Sequence, residues 1–146
     1  MADVSDPQLE QNYQKVLSDA DETNWCVFGY DASGKNIVFQ AAGTGGIEEL
    51  KGHLAEDQCQ YAYLRVISGD AESKRAKFVF ISWCGEGVGA LKRAKMSVHK
   101  ASVKKVIKNY GVEAHFTNPD EVNENEIATK IKKASGADYS GNSGSQ

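Results

Sequence analysis

Hydrophobic positions follow two different periods along the chain, and the changes of period predict its elements. Asp6 and Pro7 suit the cap and first turn of a helix, and apolar residues then recur at helical spacing as far as Ala20. Apolar runs further on predict strands, of which the first two form a hairpin around the turn sequence DASGK. The predicted elements are a helix over 7–20, strands over 25–30 and 36–42, a short helix over 47–54, strands over 59–68 and 77–84, a long helix over 91–110, a strand over 112–116 and a last helix from 119 to about 134.

The length of the chain sets the domain organisation. With 146 residues, it is long enough for one domain with its own core and too short for two. We predict a single domain over residues 1–135 and a flexible polar tail over residues 136–146. The N-terminus lacks the apolar segment of a secretion signal, and no apolar run is long enough to span a bilayer. We therefore expect a cytoplasmic monomer without a transmembrane segment.

The cysteines and histidines give no sign of a chemical centre. Cys26, Cys59 and Cys84 are odd in number, widely spaced and set in apolar, strand-like runs. That pattern predicts buried, reduced thiols of a protein in a reducing cytosol. The three histidines lack metal-ligand spacing, and no nucleophile, base and acid fall into a catalytic arrangement. We predict no metal site, no cofactor and no enzymatic activity.

The segment from Leu91 to Gly111 carries seven lysines and arginines and no acid, although the net charge of the chain is −3. At 100° per residue, Arg93, Lys100 and Lys104 fall on one helical stripe. The simplest interpretation is a solvated helix face. Such faces normally mix both signs of charge, however, because opposite charges one turn apart stabilise a helix. The unmixed charge favours an anionic partner.

The apolar residues of this segment form two sets that a straight helix cannot turn toward one core. The sets are Leu91, Ala94, Val98 and Ala101 in the first half, and Val103, Val106, Ile107 and Tyr110 in the second half. We expect both sets to be buried. That requires a bend or a change of packing partner midway.

Three kinds of anionic partner are compatible with a basic stripe. Nucleic acid is disfavoured because the isoelectric point is about 5.6 and no base-reading motif is present. A membrane surface is disfavoured because we expect no exposed Trp, Phe or Leu beside the stripe. An acidic protein surface fits best, since one basic face on an acidic domain fixes the orientation of the encounter. Binding of anionic phospholipid by the same face is the alternative hypothesis.

The glycine-rich sequence GEGVGA follows a strand and opens a helix, as a dinucleotide-binding turn does. It has Ala90 at the sixth position, and it has Lys104 where that fingerprint places an acid about 20 residues on. A tight turn before a helix is the simpler explanation of the glycines. A small-molecule enzyme with this turn as its phosphate site is a third hypothesis.

Several stretches of sequence resemble the coactosin branch of the actin-depolymerising-factor homology family. The most specific is GDAESKRAKFVFISWCGEGVGALKRAK, and TNWCVFGYD, VKKVIKNYG and KIKKASGADY fit the same branch. The resemblance extends from about Asp6 to Tyr139. It implies an α/β fold of the α+β type, with a central mixed sheet of five or six strands, helices on both faces and a last strand parallel to its neighbour.

The resemblance also implies a function and a set of contacts. It implies cytoskeletal binding along the sides of filamentous actin, with little or no binding of actin monomers or depolymerisation, and an action against barbed-end capping. The implied filament contacts are Lys77 with its neighbours Lys74 and Arg75, then Arg93, Lys95 and Met96 on the long helix, and Lys104 further along, to which the basic stripe adds Lys100.

The long helix departs from the depolymerising members of the family. Those members continue after Lys-Met with an apolar residue and Tyr-Ala-Ser-Ser-Lys, whereas Lys95 and Met96 are followed here by SVHK. This difference argues against a contact with the actin monomer. Lys133 matches a lysine with which some animal relatives bind a lipoxygenase, but the sequence does not indicate such a partner here.

Overall fold

The computed structural model describes residues 2–68 and 75–140. The elements are α1 (Pro7–Leu17), β1 (Trp25–Tyr30), β2 (Ile37–Gly43), α2 (Gly46–Lys51), β3 (Cys59–Ser68), β4 (Arg75–Cys84), α3 (Ala90–Val103), β5 (Val112–Phe116), a short 3-10 turn (Pro119–Glu121) and α4 (Glu124–Ser140). The predicted cap of the first helix is confirmed, because the Asp6 carboxylate accepts a hydrogen bond from the backbone N–H of Gln8.

The five strands form one mixed sheet in the order β2-β1-β3-β4-β5. Neighbouring strands are antiparallel except for β4 and β5, which run parallel, as the family resemblance implied. The β1–β2 hairpin is closed by Asp31, whose carboxylate accepts hydrogen bonds from the side chains of Asn36 at 2.6 Å and Ser33 at 2.7 Å. These bonds hold the pKa of Asp31 at about 2, and Gly34 completes the turn at a φ of +74°.

Helices cover both faces of the sheet, which confirms the predicted layer arrangement. Side chains alternate along β4, so Phe78 and Phe80 pack on the α1 and α3 side while Val79 and Ile81 pack on the α2 and α4 side. Arg65 of β3 ties the sheet to the end of α1. Its guanidinium donates hydrogen bonds to the carbonyl oxygens of Val16, Ser18 and Asp21.

The three cysteines are free and buried, as predicted. Cys59 and Cys84 are directly opposite on β3 and β4, with their sulfur atoms 3.6 Å apart. Burial raises the pKa of the Cys59 thiol, and the hydrogen bond with Cys84 adds to that effect. Among residues 2–68 and 75–140, no group of His, Cys, Asp or Glu side chains could hold a metal ion.

The long basic helix is shorter than predicted. It ends at Val103, and the chain turns at Lys104 instead of continuing to Tyr110. This turn resolves the conflict between the two apolar sets, because it lets Val106 and Ile107 enter the core beside Val103. The expected burial of the first set is wrong, since all four of its members are exposed.

The C-terminal helix begins later and ends later than predicted. Asn118 and Glu121 form a capping box around the short 3-10 turn at Pro119, and α4 itself starts only at Glu124. The helix continues to Ser140, so residues 136–140 of the predicted tail are helical. No helix in the described part of the chain is long and apolar enough to cross a membrane.

Candidate functional site

The outward face of α3 is apolar, the reverse of what a core-packing helix shows. Leu91 is 71% exposed and Val98 is 62% exposed, while Met96 and Val103 face the core at 2% and 1%. The exposed residues recur three and four positions apart, so they share one side of the helix. We call this set the outward strip, and it consists of Leu91, Ala94, Val98 and Ala101.

Two rows of basic side chains border the outward strip, one on each side. Stepping at 100° per residue puts one row toward the β1–β2 hairpin and the other toward β5. The hairpin-side row consists of Lys92 and Lys95, with His99 beside them, and the β5-side row consists of Arg93, Lys100 and Lys104. An apolar strip between two cationic margins is a suitable docking surface for an apolar ridge flanked by acids.

The hairpin-side row borders a cavity of about 490 Å³ between α3 and the turn of the β1–β2 hairpin. His99 anchors the helix there, because its Nδ1 lies 2.8 Å from the Tyr30 hydroxyl. The Tyr61 hydroxyl donates to the Met96 carbonyl at 2.7 Å and holds the next turn. Burial lowers the pKa of His99, and the charge of Lys95 lowers it further. His99 is therefore neutral at physiological pH and serves as a hydrogen-bonding anchor.

The Arg93 side chain, in the β5-side row, forms hydrogen bonds with the glycine-rich loop before α3. Its guanidinium donates to the carbonyl oxygens of Val88 at 3.1 Å and Gly85 at 3.3 Å. A Cβ atom at Gly85 would lie 2.1 Å from the carbonyl oxygen of Glu56, so close backbone packing requires glycine there. The tight-turn explanation of GEGVGA thus has a direct structural basis.

Lys100 and Lys104 both reach Glu113, which projects from β5. Lys104 Nζ lies 2.8 Å from one carboxylate oxygen, and Lys100 Nζ lies 3.3 Å from the other. Burial opposes ionisation of Glu113, but the hydrogen bonds from the two lysines outweigh it and lower the pKa. The same bond raises the pKa of Lys104, so the Glu113 carboxylate and the Lys104 ammonium group are both charged at neutral pH.

The remaining predicted contact residues do not share the outward face of α3. The Met96 side chain lies in the core under α3, so it cannot touch a partner while the helix holds this position. Strand alternation puts the half-buried Lys77 on the side of the sheet opposite to α3, with Val79. The structure therefore does not unite Lys77 with the α3 rows on one face. Lys74 lies outside the described residues, and Arg75 is described only as the start of β4.

Analysis of the sequence missed the most exposed apolar residues of the site. Leu91 and Val98 were expected in the core, and a membrane partner was disfavoured because no exposed leucine was expected beside the stripe. The rotation between the two apolar sets was the available signal. Exposure of one set to solvent explains this rotation equally well as a bend in the helix does.

The chain matches a known family over most of its length. Residues 1–132 match the sequence model described as cofilin/tropomyosin-type actin-binding protein. The chain is 58% identical to coactosin of Dictyostelium discoideum over 143 residues, which cover 97% of each protein. It is 50% identical to coactosin of Entamoeba histolytica over 144 residues, which cover 97% of this chain and 94% of the relative.

Solved structures show the same architecture. The crystal structure of coactosin from Entamoeba histolytica superposes with a TM-score of 0.84 at 46% identity, covering 93% of this chain and 98% of that one. Human coactosin-like protein superposes with a TM-score of 0.85 at 31% identity, covering 91% and 99%. Mouse coactosin, described as an actin filament binding protein, superposes with a TM-score of 0.76 at 32% identity, covering 97% and 98%.

Proposed function

Because this chain belongs to the cofilin/tropomyosin-type actin-binding family, we propose that it binds along the sides of actin filaments through the outward face of α3. Its fold is the actin-depolymerising-factor homology fold, and it is an actin-binding cytoskeletal protein and not an enzyme. We further propose that it acts in the cytoplasm as a monomer, with little or no affinity for actin monomers and little depolymerising activity.

The observation that carries this proposal is the composition of the outward face. Five lysines and arginines border the outward strip, on a chain whose net charge is −3, and they are Lys92, Arg93, Lys95, Lys100 and Lys104. The basic rows favour an acidic partner surface, and the outward strip supplies apolar area that charge alone does not provide. Exposed apolar side chains cost solubility, so their position between two cationic rows favours a docking role.

Filament binding is favoured over monomer binding by two observations. The sequence after Met96 departs from that of depolymerising family members, as noted above, and mouse coactosin is described as an actin filament binding protein. A side-binding protein that leaves filaments intact and occupies them near their barbed ends would oppose capping. We include this action against barbed-end capping in the proposal.

Each predicted contact has a distinct part in the proposal. Lys95, Lys100 and Lys104 would meet acidic groups of the filament, while Arg93 would contact it and stabilise the loop before α3. Met96 supports the helix from below and would act through its position. Lys77 would form a second contact on β4, and Lys74 and Arg75 stay predicted contacts beside it in the sequence.

The test is co-sedimentation with filamentous actin at low and at physiological salt. Exposed charge pairs are screened over about 8 Å at physiological ionic strength, so the bound fraction should fall as salt rises. Lys77→Ala and Lys95→Ala should each weaken binding by about 1.5- to 5-fold, the range of exposed ion pairs. Lys132→Ala, an exposed lysine of α4, is the control and should bind like the wild type. Wild-type protein that stays in the supernatant at low salt would refute the proposal.

Anionic lipid is the second candidate partner, and one observation favours it. Leu91 is exposed next to Lys92 and within one turn of Lys95, as in helices that insert an apolar edge between lipid headgroups. Pelleting with vesicles of neutral lipid and with vesicles containing anionic lipid separates the two candidates. Binding to anionic vesicles together with failure to sediment with filaments would make lipid the partner.

A further inference from the structure

Glu113 is the acid that the fold inserts into the basic surface. Residues alternate along β5, so Glu113 and His115 face the α3 side while Val112, Ala114 and Phe116 pack into the opposite core. Within the described ranges 2–68 and 75–140, both ion pairs end on Glu113, and their other members are Lys100 and Lys104. Both proposed lysine contacts outside the hairpin-side row thus have an internal partner.

We propose that Glu113 lowers the affinity of this surface and makes it more selective, because it competes with the acidic partner for Lys100 and Lys104. The inference rests on the proposed function, since it concerns how the same surface is regulated. The Glu113 side chain is 35% exposed, and the two lysines are 27% and 35% exposed. The carboxylate therefore lies at the same level as the lysines, where its charge repels an acidic partner that approaches them.

The direction of the effect depends on whether Glu113 masks the lysines or only orients them. Lys104 has other support, because its Nζ lies 5.9 Å from the ring centres of both Phe80 and Tyr110. Cation–π contacts of this kind keep the ammonium group in place when the carboxylate is neutralised. Removal of the negative charge should therefore expose Lys104 as a positioned cation and free Lys100 for the partner.

Competition of this kind favours a densely acidic partner over a weakly acidic one. A partner with several clustered carboxylates can replace the interactions of Lys100 and Lys104 with Glu113. A partner surface with few carboxylates cannot compensate for the loss of those interactions. Discrimination is a difference between two affinities, and a built-in repulsive group increases that difference. Glu113 is in this sense a specificity-determining residue of the proposed surface.

The direct test compares Glu113→Gln with Glu48→Gln in filament co-sedimentation. Both variants change the net charge from −3 to −2, but Glu48 is exposed on α2, on the opposite face of the sheet. Glu113→Gln should bind filaments about 2- to 10-fold more tightly with a steeper salt dependence, and Glu48→Gln should bind within about twofold of wild type. Equal or weaker binding by folded Glu113→Gln would overturn the inference.

A double-mutant comparison checks that the gain comes from the lysines themselves. Lys104→Ala should cost more affinity in the Glu113→Gln background than in the wild type, because the unmasked lysine contributes more. Equal losses in the two backgrounds would assign the effect of Glu113→Gln to its general charge and overturn the competition. Thermal unfolding of each variant verifies that it is folded.

Retention on a cation-exchange resin provides a measurement without actin. Glu113→Gln should elute at higher salt than Glu48→Gln despite the same net charge, because only the first variant unmasks clustered lysines. Coincident elution would show that Glu113 masks nothing and would overturn the inference. If wild-type protein fails to sediment with filaments while this difference in elution is present, the proposed function fails and the masking of Lys100 and Lys104 stands.

Discussion

Replacement of Leu91 by serine is expected to weaken filament binding while the fold stays intact. Burial of a whole leucine side chain is worth about 1.5–3 kcal/mol, and Leu91 is 71% exposed in the free protein. About seven tenths of that value, or roughly 1–2 kcal/mol, is therefore available to an interface that covers the side chain. This corresponds to a loss in affinity of about 5- to 30-fold.

The assay is filament co-sedimentation at two salt concentrations, with unfolding by urea measured in parallel. Because an apolar contact is not screened, the factor lost by Leu91→Ser should be the same at both salt concentrations, whereas the factor lost by Lys95→Ala should shrink at high salt. Stability should change by no more than about 0.5 kcal/mol, as is usual for exposed sites. Ala128→Ser, at an exposed position of α4, controls for the added hydroxyl group.

An unchanged affinity of folded Leu91→Ser would refute the reasoning. It would mean that the outward strip stays in water in the complex and that the basic rows dock without it. The proposal would then lose its apolar component, and the exposed leucine would need another explanation.

Two further predictions concern the scaffold that positions the surface. Arg65→Met removes a guanidinium that donates to one carbonyl oxygen in the last turn of α1 and to two just after it. Hydrogen bonds of this charged kind are worth about 1.5–3 kcal/mol each, and urea unfolding should show a loss of at least about 2 kcal/mol. Asp31 has a pKa of about 2 in the folded state because Asn36 and Ser33 donate to it, so its contribution is present above its unfolded pKa of about 3.9 and is lost as the pH falls toward 2. The stability difference between wild type and Asp31→Asn should therefore shrink between about pH 4 and pH 2, and a difference that does not vary over this range would contradict the assignment.

Much of the fold was predictable from local patterns because the signals there are short-range. The apolar runs of β3 and β4, the turn residues around Gly34 and the cap at Asp6 each act within a few residues of the chain. The mixed sheet and the parallel pairing of β5 were expected instead from the resemblance to a known family, and the order of the strands was not predicted. The later start of α4 was missed because the capping box at Asn118 serves a 3-10 turn and not the helix itself.

The binding role of the predicted site residues stays a prediction, and their arrangement could be predicted only in part. The basic stripe of Arg93, Lys100 and Lys104 follows from helical spacing alone, and the structure places these residues on one side of α3. The pairing of two of them with Glu113 could not be predicted, because the acid comes from β5, and its approach to α3 depends on how the helix crosses the sheet.

Composition and spacing along the chain were enough to predict the order of the elements, the burial of the cysteines and the concentration of positive charge in one segment. The tertiary structure alone decided which side of α3 faces the core. Both apolar sets of the segment were equally suited to burial, and the burial of Val103 and Ile107 in place of Leu91 and Val98 depends on the direction in which the chain leaves β4 and turns at Lys104. That direction is set by contacts between residues far apart in sequence, such as the Tyr61 hydroxyl with the Met96 carbonyl, and local periodicity contains no information about them.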